Sequence, residues 1–222
     1  MPFFMEPWAR RADFSMDEFE PRLVVPDQTR PLILGEVLTQ AQKDALPKVL
    51  RVLDLEETGV LDVFGWAGNG KWVICRKLRD KIQEMEPGVH DFVPIRVESP
   101  DGACDFGVYY HLIYTVKLDI FHYDRTRFLE GFGRAAAEAS RHVLCGGSDL
   151  FACVLKADVV EGRHLWRGRF QDSVLGTFCS DELGEFMQGE GMRGVVLRKC
   201  GVESLPPSAA GVGPKPEPAR KV

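Results

Sequence analysis

Trp72-Val73-Ile74-Cys75-Arg76-Lys77-Leu78-Arg79-Asp80-Lys81-Ile82 is the stretch on which the fold turns. Its first four residues form a short apolar run with the β-branched and aromatic character of a strand. The pattern then changes period. Leu78, Ile82 and Met85 fall at i, i+4 and i+7, which is one face of a helix. Pro87-Gly88 ends that helix, and Val89 to Val97 resumes as a strand with Phe92, Ile95 and Val97 apolar. The unit predicted is strand, helix, strand.

About a hundred residues later the same logic returns. Thr177-Phe178-Cys179 reads as a strand end and Ser180 as a helix N-cap. Asp181 and Glu182 stand where acids favour the positive end of a helix. Leu183, Phe186 and Met187 make its apolar face, Gly189 and Gly191 end it, and Gly194-Val195-Val196-Leu197 is the return strand. Such a pair arises from duplication or, more often, from the commonness of this unit in α/β structure.

Between and around the two units, Tyr109 to Phe121 predicts a central strand. Arg125 to Leu144, with Ala135, Ala136, Ala137 and Ala139 at its centre, predicts a helix that Gly146-Gly147 stops. Strands are expected at Leu150 to Val160, Leu165 to Phe170 and Val174 to Cys179. Glu36 to Leu55 predicts a helix broken at Pro47 and then a second apolar piece. Leu32 to Gly35 reads as a short strand or turn. The expected fold class is α+β or α/β, a mixed sheet with helices packed on it, over residues 21–202. Residues 1–20 are expected to form an N-terminal arm. Residues 203–222, rich in proline, lack the apolar residues to pack and are expected to be disordered.

At 222 residues the chain is long enough for one domain to bury a core without disulfides or metals. The net charge is −5, and residues 1–202 alone carry −6. That balance repels phosphate backbones, argues against nucleic acid and favours a basic protein partner. No apolar run reaches the roughly 20 residues of a membrane helix. Met1 to Pro7 has no basic region ahead of an apolar stretch, so a secretory leader is not expected. The six cysteines form no C-x-x-C pair and read as reduced thiols of a cytoplasmic protein.

The residues that suggest chemistry fall short of a complete site. Gly65-Trp66-Ala67-Gly68-Asn69-Gly70-Lys71 matches the front of the phosphate-loop pattern, but Trp72 stands where a Mg²⁺-binding Ser or Thr is needed. A strand is also expected at the lysine, not the helix whose N-terminus would face phosphates. His90, His111, His122, His142 and His164 show no metal-binding spacing. Cys75 precedes a helix, whose dipole can lower a thiol pKa, yet the position fits a structural N-cap. Asp101 and Asp105 lack calcium-loop spacing and read as a solvated turn. No catalytic residue, cofactor or metal is expected.

Four blocks, in order, carry a resemblance: Trp72 to Ile82 with Glu86 to Pro94; Tyr109-Tyr110-His111-Leu112 through Leu118-Asp119; His164-Leu165-Trp166-Arg167; and Thr177 to Leu183 through Gly191-Met192-Arg193-Gly194-Val195. Together they resemble the myxobacterial-type immunity family of bacterial polymorphic toxin systems over roughly residues 60–200. The chain departs from that pattern with Cys75 for a serine, Trp166 for a phenylalanine and an extra helical insertion at Arg127 to Cys145. The resemblance implies a cytoplasmic, non-enzymatic protein that neutralises a co-encoded toxin by occluding it. If the toxin has a basic cleft, as a nuclease does, the expected contacts are Asp13, Asp17, Glu18 and Glu20, then Asp101 and Asp105. The alternatives are a small enzyme reversing a toxin's modification, or a general adaptor.

Overall fold

The computed structural model describes residues 1–7, 37–52, 60–66, 71–99, 101–122, 125, 128–129, 143–144, 153–170 and 173–204. In chain order the elements are β1 (Phe3–Pro7), α1 (Gln40–Asp44), β2 (Val49–Arg51), β3 (Val63–Trp66), β4 (Lys71–Ile74), α2 (Arg76–Met85), β5 (Asp91–Glu98), β6 (Asp105–Ile113) and β7 (Lys117–Leu118). There follow β8 (Phe128–Leu129), β9 (Val143–Leu144), β10 (Val154–Lys156), α3 (Ala157–Val160), β11 (Leu165–Phe170), β12 (Ser173–Cys179), α4 (Asp181–Gly189), β13 (Val195–Lys199) and β14 (Gly201–Glu203). The class is α+β with mixed sheets.

Two five-stranded sheets carry the fold, in the orders β13-β1-β12-β11-β7 and β2-β5-β6-β4-β3. The two strand–helix–strand units lie one in each sheet, and they are built alike. β4 and β5, joined by α2, both run antiparallel to β6, which lies between them. β12 and β13, joined by α4, both run antiparallel to β1, which lies between them. An outer antiparallel strand completes each: β3 on β4, β11 on β12. The correspondence reaches single residues. Counted from the N-caps Cys75 and Ser180, the helix positions buried at +3 and +7 are Leu78 and Ile82 in one, Leu183 and Met187 in the other. The N–H of each cap donates to the carbonyl just before the outer strand, Cys75 to Asp62 at 2.8 Å and Ser180 to His164 at 2.9 Å.

The two halves also brace each other. Asp62 and Val63, at the start of β3, donate their N–H groups to the Arg193 carbonyl in the α4–β13 loop, both at 3.1 Å. In the mirror position His164 and Leu165 donate theirs to the Glu86 carboxylate in the α2–β5 loop, at 3.1 and 3.0 Å. Gly194 allows the close approach on the Arg193 side. Its φ is +95°, and a Cβ there would lie 1.9 Å from the Val63 carbonyl oxygen.

Residues from both sheets and both helices share one core cluster, including Phe3, Met5, Val63, Trp72, Ile74, Leu78, Ile82, Leu165, Cys179, Leu183 and Met187. Period-two alternation sends their neighbours the other way. Val73, Phe64, Ile95 and Val97 pack on the far face of one sheet. Trp166, Phe178, Phe121, Leu155, Cys153 and Cys200 pack on the far face of the other.

The structure corrects several expectations. Phe3–Pro7, expected in an N-terminal arm, is a strand flanked on both sides in its sheet. Its alternation is too short to stand out in sequence. At both ends of the helix expected over Arg125 to Leu144, Phe128–Leu129 and Val143–Leu144 pair as antiparallel strands. The alanine-rich centre lies outside the described residues, while Phe128 and Val143 at the ends are aromatic and β-branched residues that favour strands. The strand expected over Leu150 to Val160 is only Val154–Lys156, after which Ala157–Val160 makes one helical turn. The strand expected through Phe121 ends at Ile113 and resumes at Lys117. Leu32 to Gly35 lies outside the described residues. Leu165–Phe170 and the helix on Leu78, Ile82 and Met85 match their expected places. Among the described residues no helix is long and apolar enough to cross a membrane.

Candidate partner-binding surface

The residues that could carry chemistry are held in separate structural tasks. His90 is buried and its Nε2 lies 3.0 Å from Glu86. His111 Nε2 lies 3.0 Å from the Pro47 carbonyl, and His122 Nε2 lies 3.0 Å from the Glu203 carbonyl. His164 Nδ1 lies 3.1 Å from the Ser180 hydroxyl. His142 lies outside the described residues. Among the described residues no three His, Cys, Asp or Glu side chains gather as a metal site. The phosphate-loop look-alike is the β3–β4 connection, with strand β4 beginning at Lys71. Its residues 67–70 lie outside the described residues.

Three of the described thiols, Cys75, Cys153 and Cys179, are held in their neutral form. Burial raises the Cys75 pKa, partly offset by the backbone N–H groups at the start of α2. The neighbouring Cys200 thiol and burial raise that of Cys153, and burial with Cys200 raises that of Cys179. Cys75 does occupy the N-cap of α2, but its side chain makes no capping hydrogen bond.

Among the described residues Glu86 is the most enclosed carboxylate, 5 % exposed. Burial works to raise its pKa, but the hydrogen bonds from His90, His164 and Leu165 outweigh it and hold the group below its ordinary value. Two of its hydrogen bonds form the brace between the two halves and the third holds His90, which makes it structural.

The acids expected at a partner interface divide. Asp13, Asp17, Glu18 and Glu20 lie outside the described residues. Asp101 and Asp105 are exposed in the turn that joins β5 to β6. Asp101 accepts from the Ser99 hydroxyl at 2.6 Å and the Ala103 N–H at 3.0 Å, and these bonds lower its pKa. Asp105 accepts from the Gly107 N–H at 2.8 Å. Both shape the hairpin tip and leave their charge in solvent.

A second acidic locus was not singled out from sequence. A cleft of about 600 Å³ opens between α3, the turn after it, the start of α4, and the strand ends at Pro2 and Val202. Asp158, Glu161, Asp181 and Glu182 line it and are exposed, with Arg163 and His164 beside them. The Met1 amine pairs with Asp181 at 3.1 Å and lowers that carboxyl's pKa. His164 Nδ1 lies 3.9 Å from Glu182. Pro2, Val160, Trp166 and Val202 give the cleft its apolar lining. In sequence these acids form two unrelated pairs; the β11–β12 hairpin brings them together, and nothing local announces that. The one available signal was Ser180, which caps α4 by accepting from the Leu183 N–H at 3.2 Å and so fixes where Asp181 and Glu182 stand.

No curated protein matches the chain. A family model does, described as "Immunity protein family (Imm11)", over residues 10–202, a span that takes in both strand–helix–strand units and the cleft acids. The chain therefore belongs to the Imm11 immunity protein family.

Proposed function

We propose that the chain binds a cognate bacterial toxin domain and silences it by stoichiometric occlusion, in the cytoplasm of the cell that makes both. The match to an immunity protein family over residues 10–202 carries this reading. The rings of His111 and His122 each rest on a backbone carbonyl and that of His90 on the bracing Glu86, which supports binding over catalysis.

The proposed partner is a basic toxin domain, such as a nuclease whose cleft is built for phosphates. The net charge of −5 suits it, since opposite fields speed encounter and suppress wrong partners. Asp101 and Asp105 at the hairpin tip are proposed contacts, as are Asp13, Asp17, Glu18 and Glu20. Neither nucleic acid nor a lipid surface is part of the proposal.

Co-expression with the toxin domain encoded beside the chain's own gene tests it. Growth should be restored, and the two proteins should elute as an equimolar complex from a sizing column. Continued growth arrest despite full expression, with no complex at micromolar concentration, would sink the proposal.

A further inference from the structure

Three features of the cleft beside α4 belong together. The first is its size: at about 600 Å³ it falls within the range of roughly 300–1,000 Å³ of concave sites that enclose a ligand group. The second is its charge. Four carboxylates, Asp158, Glu161, Asp181 and Glu182, line the cleft together with Arg163 and Met1. Asp181 is committed to the Met1 amine, while Asp158 and Glu161 make no ion pair among the described residues. The third is Trp166. It lines the cleft, is 1 % exposed, and its indole N–H is buried with no acceptor among the described residues. A buried donor without a partner costs about 1–3 kcal/mol, so an acceptor delivered there by a ligand is rewarded.

We propose that this cleft is the principal docking site for a basic segment of the toxin, a Lys- or Arg-bearing loop that enters over Val160 and Trp166. This rests on the immunity reading above. A peptide segment offers both things the cleft lacks. Its cationic head meets Asp158, Glu161 and Glu182 at the rim, its aliphatic stem covers the apolar lining, and a backbone carbonyl accepts from the Trp166 N–H. The hairpin tip at Asp101 and Asp105 is exposed and lies as a solvated outer contact, where a charge acts on the rate of encounter more than on its lifetime.

The test uses the full chain, labelled with ¹⁵N, and the co-encoded toxin domain inactivated in its catalytic residues. The Trp166 indole resonance is assigned by its loss in Trp166→Phe. On adding toxin it should shift. The triple variant Asp158→Asn/Glu161→Gln/Glu182→Gln should bind at least tenfold more weakly, chiefly through faster dissociation, while Asp101→Asn/Asp105→Asn should lose no more than a few-fold. All three substitutions of the triple variant lie at exposed positions, and its unfolding midpoint should match the parent's. A complex that forms with an unmoved indole signal and undiminished affinity in the triple variant overturns the docking site and leaves the immunity function standing. Failure of any complex overturns both. If the indole signal of the free protein shifts on removal of residues 205–222, or with protein concentration, the cleft belongs to the chain's own tail or to a second copy, and the proposal fails.

Discussion

At the scale of single residues, Glu86 carries the most weight. Its carboxylate stands where the other half of the molecule uses a backbone carbonyl, that of Arg193, and both accept the N–H groups that open an outer strand. A carbonyl does not titrate; a carboxylate does. Because the folded state holds the Glu86 pKa below its ordinary 4.5, this group adds stability that is fully present above that value. The contribution is lost as pH falls through the lowered folded value. Glu86→Gln should therefore cost about 2–3 kcal/mol at neutral pH. The gap between variant and parent should narrow once the pH drops below the ordinary glutamate range. Urea midpoints measured from pH 7 down to pH 3 check this, and a gap that widened in acid would contradict the assignment.

At the scale of elements, the two helices differ at their caps. Ser180 caps α4 through its hydroxyl, whereas Cys75 begins α2 with no side-chain hydrogen bond. Cys75→Ser should supply the missing acceptor and raise stability by about 0.5–1 kcal/mol, and Ser180→Ala should lower it by about 1 kcal/mol. Thermal unfolding of both variants measures the pair. These helices were legible in sequence because each presents Leu at +3 from its cap and a long apolar residue at +7, a pattern set by local periodicity alone. β11 was legible for a similar reason, as a bounded apolar and aromatic run. β1 was not, since the five residues Phe3–Pro7 give too little alternation to stand out as a strand. The paired ends of the expected insertion helix were hidden because the alanines between them dominated the window. The cleft was illegible for a different reason: Asp158 and Glu161 meet Asp181 and Glu182 only through the pairing of β11 with β12, a tertiary fact no local pattern encodes.

At the scale of the whole molecule, the two halves share one core, and β1 sits inside it. Phe3 and Met5 pack with residues of both sheets and both helices, and β1 pairs with β12 on one side and β13 on the other. Deleting residues 1–7 should thus disable more than one sheet. The expected outcome is loss of near-ultraviolet circular dichroism and loss of amide protection in β5 and β6 as well as in β12 and β13. Persistent native protection of β5 and β6 in the shortened chain would show that the halves are independent.

The position of β1 also sets a timetable. A ribosome adds roughly 5–20 residues per second, so the partners Cys179 and Lys199 follow Phe3 by about ten to forty seconds. Through that interval the Phe3-Phe4-Met5 segment has emerged with neither neighbouring strand yet made, an apolar edge of the kind that invites pairing with other chains. β13, which closes the open side of β1, is made nearly two hundred residues after it, so the β1 segment must stay unengaged until then.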